Sequence, residues 1–106
     1  MTLAAKSLAD GQVGTSTAAI FTASAVTIVR YINFYNTNAS TQTLNVYITR
    51  SGSARRQIYQ NSSLAQYGAA SILGAGEVIS LSAGDKIEAD TTTGTAVDYI
   101  IAGASE

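Results

Sequence analysis

A period of two runs through this chain, and no stretch shows a competing helical period. In "TLNVYITR" (43–50), Leu44, Val46 and Ile48 fall on one side of an extended backbone, with Thr43, Asn45, Tyr47 and Thr49 on the other. That alternation is the mark of a half-buried strand. "VTIVRYINFYN" (26–36) is longer and rich in β-branched and aromatic residues, which fit a pleated, packed surface. Its even positions, Val26, Ile28, Ile32 and Phe34, are expected to enter the core. Its odd positions, Val29, Tyr31 and Tyr35, are too apolar for open solvent and are expected to be covered. The polar "NTNASTQ" between the two runs carries turn-forming Asn and Ser, so the pair reads as a hairpin.

Shorter runs of the same kind follow: "TAAIFT" (17–22), "RRQIYQ" (55–60), "AASIL" (69–73), "EVISLS" (77–82), "DKIEAD" (85–90) and "TAVDYIIA" (95–102). Gly- and Ser-containing turns separate them. About eight short strands at a spacing near ten residues predict an all-β fold, an antiparallel β-sandwich or jelly roll. At 106 residues the chain makes one domain. Residues 17–106 are expected to form the sandwich, and the weakly patterned 1–16 an N-terminal arm or edge strand that lies on a neighbouring subunit and adds to its sheet. The chain has no Pro, a residue that commonly protects sheet edges. Some edges are therefore expected to be buried against other chains.

Composition narrows the chemistry. Charged residues make up only 12% of the chain, against the ~25% usual in soluble domains. The polarity is carried instead by 13 Thr and 12 Ser, beside 18 Ala. The net charge of −1 gives no footprint for nucleic acid. Without Cys or His there is no disulfide, no Ser–His or Cys–His pair, and no zinc held by those ligands. No segment has the length or apolarity of a membrane span or a signal peptide. Neither an enzyme nor a cofactor is expected.

Four of the thirteen charged residues crowd into "DKIEAD": Asp85, Lys86, Glu88 and Asp90. Ala83-Gly84-Asp85 reads as a tight turn, Gly supplying the backbone angles and Asp capping the return. The charges then become the outward face of the second strand of a hairpin. Glu88 and Asp90, ~7 Å apart on one face, are weak candidates for a cation, with Asp98 approaching from a neighbouring strand. Calcium asks for six to eight oxygens, usually from a wrapping loop, and no such loop is present. Tyr31, Tyr35 and Tyr47 lie on the outer faces of what read as adjacent strands, as a cross-strand aromatic row or an assembly surface. Tyr99, on one face with Val97 and Ile101, reads as core. Arg55 and Arg56 follow a Ser-Gly-Ser loop as a solvated strand start, or as partners for acids of a neighbouring subunit.

Three stretches, "YINFYNTNASTQTLNVYITRSG", "SARRQIY" and "GEVISLSAGDKIEADTTTGTAVDYIIAGASE", resemble in their order a family of small structural proteins encoded by tailed bacteriophages and prophages. The likeness covers residues 17–106. Relatives often carry Pro in the turn before the long strand, where this chain reads Phe21-Thr22-Ala23-Ser24-Ala25. The resemblance implies a virion component without catalysis, assembled in the host bacterial cytoplasm. The expected role is a decoration or cement protein on the capsid surface. Its expected partners are itself, as a homo-oligomer with a trimer favoured, and other virion proteins such as the major capsid or neck proteins. A ring component of the neck or tail (head–tail connector, collar or tail tip) is the alternative. A small carbohydrate- or ligand-binding sandwich is the third reading, and an exposed row of Tyr31, Tyr35 and Tyr47 would favour it.

Overall fold

A computed structural model describes residues 3–106, apart from the side chains of residues 60–62. Among the described residues are nine strands and no helix: β1 (Ala4–Gln12), β2 (Ala18–Thr22), β3 (Thr27–Asn36), β4 (Gln42–Thr49), β5 (Arg55–Leu64), β6 (Ala69–Ser71), β7 (Ile79–Leu81), β8 (Lys86–Thr91) and β9 (Val97–Ser105). The first sheet runs β1-β9-β3, with β6 and β7 lying one after the other along the far edge of β3; the second runs β2-β8-β4-β5. All pairings are antiparallel. With β6 and β7 taken as the halves of one strand interrupted at 72–78, the order is that of an eight-stranded jelly roll. The sandwich expected from the alternation is present.

The hairpins are not. β3 belongs to the first sheet and β4 to the second, so "NTNASTQ" arches from one sheet to the other. The "SAGD" turn does the same between β7 and β8. Asn36 fixes the first arch. Fully buried, its Nδ2 donates to the carbonyls of Ser40, Leu64 and Ala65 at 2.9, 3.1 and 3.1 Å, while its Oδ1 accepts from the Asn38 N–H at 2.9 Å. One side chain thus ties the end of β3 to the chain leaving β5. The Leu64 carbonyl is buried, and leaving it without this donor would cost about 1–3 kcal/mol.

The core lies between the sheets: Val29, Ile32, Phe34, Val97 and Ile101 from the first, Leu44, Val46, Ile87 and Ala89 from the second, all inaccessible to solvent. In β3 the even face does not run inward throughout. Val29 pairs with Gly103 and Tyr31 with Ala102, so Arg30 is an extra residue, a β-bulge. Before it Thr27 and Val29 point inward; after it Ile32, Phe34 and Asn36 do. Gly103 makes the bulge possible. A Cβ there would stand 2.0 Å from the Ile28 carbonyl oxygen.

Residues 4–12 of the expected arm form β1 and pair with β9 of the same chain, while Met1 and Thr2 lie outside the described residues. The edges are blunted without proline. Leu8 is an extra residue in β1, Ile20 in β2, and β5 carries two further irregularities. Bulges of this kind twist an edge away from strand addition.

Candidate functional site: two outer faces

The second sheet turns a polar face outward, built from alternate positions of β8 and β4. Asp90 accepts from Thr17 Oγ1 at 2.6 Å, Asn45 Nδ2 at 2.8 Å and Tyr47 OH at 3.2 Å. Glu88, two residues away, accepts from the Thr49 hydroxyl and from Arg55 Nε and Nη2 at 3.1 and 3.2 Å. Gln57 Nε2 donates to Asn45 Oδ1 at 3.0 Å, and the Arg55 guanidinium lies 5.2 Å from the Tyr47 ring centre. The Thr49 hydroxyl and then Arg55 hold the Glu88 carboxyl below the usual carboxylate range. Burial, helped by Asp90, pushes the Tyr47 phenol up. Both acids are thus consumed by neighbours from three other strands or their approaches. Arg55 is used inside its own chain.

The tight turn is built as the sequence suggests. Gly84 has φ +93°, and the Asp85 N–H donates to the Ser82 carbonyl at 3.0 Å. The Asp85 carboxylate accepts in turn from the N–H groups of Ser51 and Ser82, both at 2.9 Å, and pairs with Arg50 at 3.1 Å. The two N–H groups are the main cause of its lowered pKa. Its side of the turn faces the β4–β5 loop, so Asp85 locks two loops together and leaves no open ligand position.

Asp98 does not approach the other two acids. It sits on β9 in the first sheet, where Gln12 Nε2 donates to it at 3.1 Å, so the expected three-carboxylate set is not assembled. Among the described residues no three acidic side chains gather to hold a metal ion.

The tyrosine row divides as well. Tyr47 belongs to the second sheet; Tyr31 and Tyr35 belong to the first and face the opposite way, so the three form no single platform. Within the chain, the apolar side of β3 is covered at Val29, which the bulge turns into the core, while Tyr31 and Tyr35 stay exposed. Tyr31, Tyr35 and Ile100 are 43%, 40% and 48% exposed. Register places Ile100 beside Asn33, between the two tyrosine positions on β3, and Asp98 beside Tyr35. Three large apolar side chains therefore reach water on one sheet face. Tyr99, by contrast, packs against the core and donates its hydroxyl to the Ile20 carbonyl at 3.2 Å. Ile100 was not singled out from sequence, and its place next to a polar Asp98 gave the only signal: alternation assigns it to the outside.

Where β5 and the 72–78 excursion part, Ile48, Ile58, Ile72, Leu73, Val78 and Ile79 line an open apolar groove of about 430 Å³. Glu77 at its rim accepts from the Gly74 N–H at 2.6 Å. The class defined by fold and faces is a jelly-roll domain with one self-satisfied polar face and one exposed aromatic face. No family model, curated protein or solved structure matches the chain.

Proposed function

We propose that the protein is a non-catalytic structural subunit of a tailed-phage virion, a decoration or cement protein seated on the capsid surface. The observation that carries the reading is the row of Tyr31, Ile100 and Tyr35, exposed on a sheet of a fold in which, among the described residues, every buried side-chain polar atom has a hydrogen-bond partner. Tyrosine with an aliphatic neighbour, low in charge, is the composition of a contact surface. The three sequence stretches that resemble phage structural proteins supply the context. Jelly rolls serve in viral coats and in lectins alike, so the fold by itself leaves the choice open.

The test is proteomic and structural. Particles purified from the phage or induced prophage encoding the chain should contain it in many copies, visible on the capsid surface by cryo-electron microscopy. Density confined to the portal vertex would move the protein to the neck or tail ring. A chain abundant in the lysate and missing from purified particles would overturn the proposal.

A further inference from the structure

We infer that the outer face of the first sheet binds the same face of a second copy, in a two-fold contact centred on Ile100. The inference rests on the assembly reading above and names the surface and the partner. Three observations select the surface. The lateral edges are bulged or interrupted, which disfavours strand addition. The outer face of the second sheet spends Asp90, Glu88 and Arg55 on one another and on their neighbours. Beside the groove at 72–78, what remains is the face bearing Tyr31, Ile100 and Tyr35, where the exposed apolar side chains stand on regular, paired strands.

The order of residues along that face selects the partner. Reading along β3 from its start, the face presents exposed Arg30, then Tyr31, then Asn33 beside Ile100, and finally Tyr35 beside Asp98. Along β3 and β9 a cation, the Tyr31–Ile100 stretch and an anion follow one another in a single strand direction, and the exposed Asp10 of β1 stands beside Ile100 at the rim of the face. A two-fold axis lying in the interface and crossing the strands near Ile100 reverses that direction. Arg30 to Tyr35 spans roughly 16 Å at strand rise, so the midpoint falls close to the Asn33–Ile100 level. Ile100 then meets its own copy, Tyr31 meets Tyr35, and Arg30 reaches the Asp98 end of the partner. The lateral offset is one strand spacing, about 5 Å, within the length of an arginine side chain. Arg30 forms no ion pair within the chain among the described residues, and Asp98 receives only a neutral amide, so both charges remain to be matched. The pair forms twice in the dimer, once on each side of the axis.

Sedimentation velocity and native mass spectrometry across concentration read the contact directly: two 10.9 kDa chains give a species near 2 × 10.9 = 21.8 kDa. Ile100→Arg places like charges on the axis and should weaken the dimer at least a hundredfold. Arg30→Asp and Asp98→Arg should each weaken it about tenfold, and the two together should bring it back to within about threefold of the parent. A circular-dichroism melt of each variant separates loss of contact from loss of fold. A parent that stays monomeric at every concentration overturns the inference. So does an oligomer indifferent to Ile100→Arg, or a charge swap that restores nothing; the last two leave self-assembly standing through another surface. A trimer that dissociates with Ile100→Arg would overturn the two-fold geometry. Absence of the chain from purified particles would sink the virion reading while leaving the dimer intact.

Discussion

On the outer face of the second sheet, Asp90 and Glu88 each take three hydrogen bonds from the strands around them; on the outer face of the first, Tyr31, Tyr35 and Ile100 reach water. Both faces arise from the outward half of the same alternation. They differ in what stands across the strand. Opposite Glu88 and Asp90 lie Tyr47 and Asn45 of β4, with Thr49, Arg55 and Thr17 within reach, so carboxylates find donors at once. Opposite Tyr31 and Asn33 on β9 lie Ala102 and Ile100, which offer no polar side chain, and Asp98 opposite Tyr35 accepts from Gln12 instead. A face with matched polar pairs is finished within the monomer. A face of exposed apolar side chains has, under the dimer proposed above, its completion in a second copy. The second sheet's outer face should therefore govern stability and the first sheet's should govern association.

The largest effect tests how the first face is made. Tyr31 points outward because the Arg30 bulge resets the alternation, and that bulge needs the bare Cα of Gly103. Gly103→Ala sets a methyl against the Ile28 carbonyl, and the strand must move or the bulge must go. We expect a loss of about 3 kcal/mol or more, a large share of the roughly 5–15 kcal/mol that holds such a domain together. Urea unfolding followed by far-ultraviolet circular dichroism measures it. A loss under 1 kcal/mol would mean that the bulge is not what fixes the tyrosine row.

That dependence explains how far the sequence could be read. Alternation is local, so most strands and the buried residues of β4 were legible from their own neighbours. The bulge was not, because its cause lies on β9, more than seventy residues from Arg30. Nor were the arches: a polar loop between two strands looks the same whether it closes a hairpin or crosses to the other sheet, and the deciding bonds run from Asn36 to Leu64 and Ala65. The outward direction of Glu88 and Asp90 was legible from period two. Their partners were not, since Thr17, Asn45 and Arg55 come together only through the order β2-β8-β4-β5. Tyr47 shows the same limit, having been grouped with Tyr31 and Tyr35 because β3 and β4 read as a hairpin.

The second face gives the intermediate effect. Asp90→Ala removes the acceptor shared by Thr17, Asn45 and Tyr47. The site is half-buried, so water replaces part of what is lost. At 1.5–3 kcal/mol for hydrogen bonds to a charged group, shared out and partly rehydrated, we expect a loss of about 2 kcal/mol. The association constant of the parent should be unchanged within about threefold. Equal damage to association would break the division between the faces, because Asp90 lies on the side away from Ile100.

The smallest effect is one of pH, and it belongs to Glu88. Its folded pKa is held down by the Thr49 hydroxyl and by Arg55, against the 4.5 of an unperturbed glutamate. A carboxyl with a depressed folded pKa contributes its stability in full above the unfolded value and loses it as pH falls through the folded one. Arg55 is nearly half exposed, so screening by solvent keeps the contribution small. Glu88→Gln keeps the shape and part of the hydrogen bonding while removing the charge. Near neutral pH we expect it to be less stable than the parent by about 1 kcal/mol, and the two unfolding curves should converge as pH falls below the ordinary glutamate value and the parent carboxyl takes up its proton. Asp85, lowered chiefly by two backbone N–H groups, remains in both proteins and keeps its own share of the acid limb. A gap between parent and Glu88→Gln that stays unchanged through the whole acid limb would show that the charge on Glu88 is not what the second face uses.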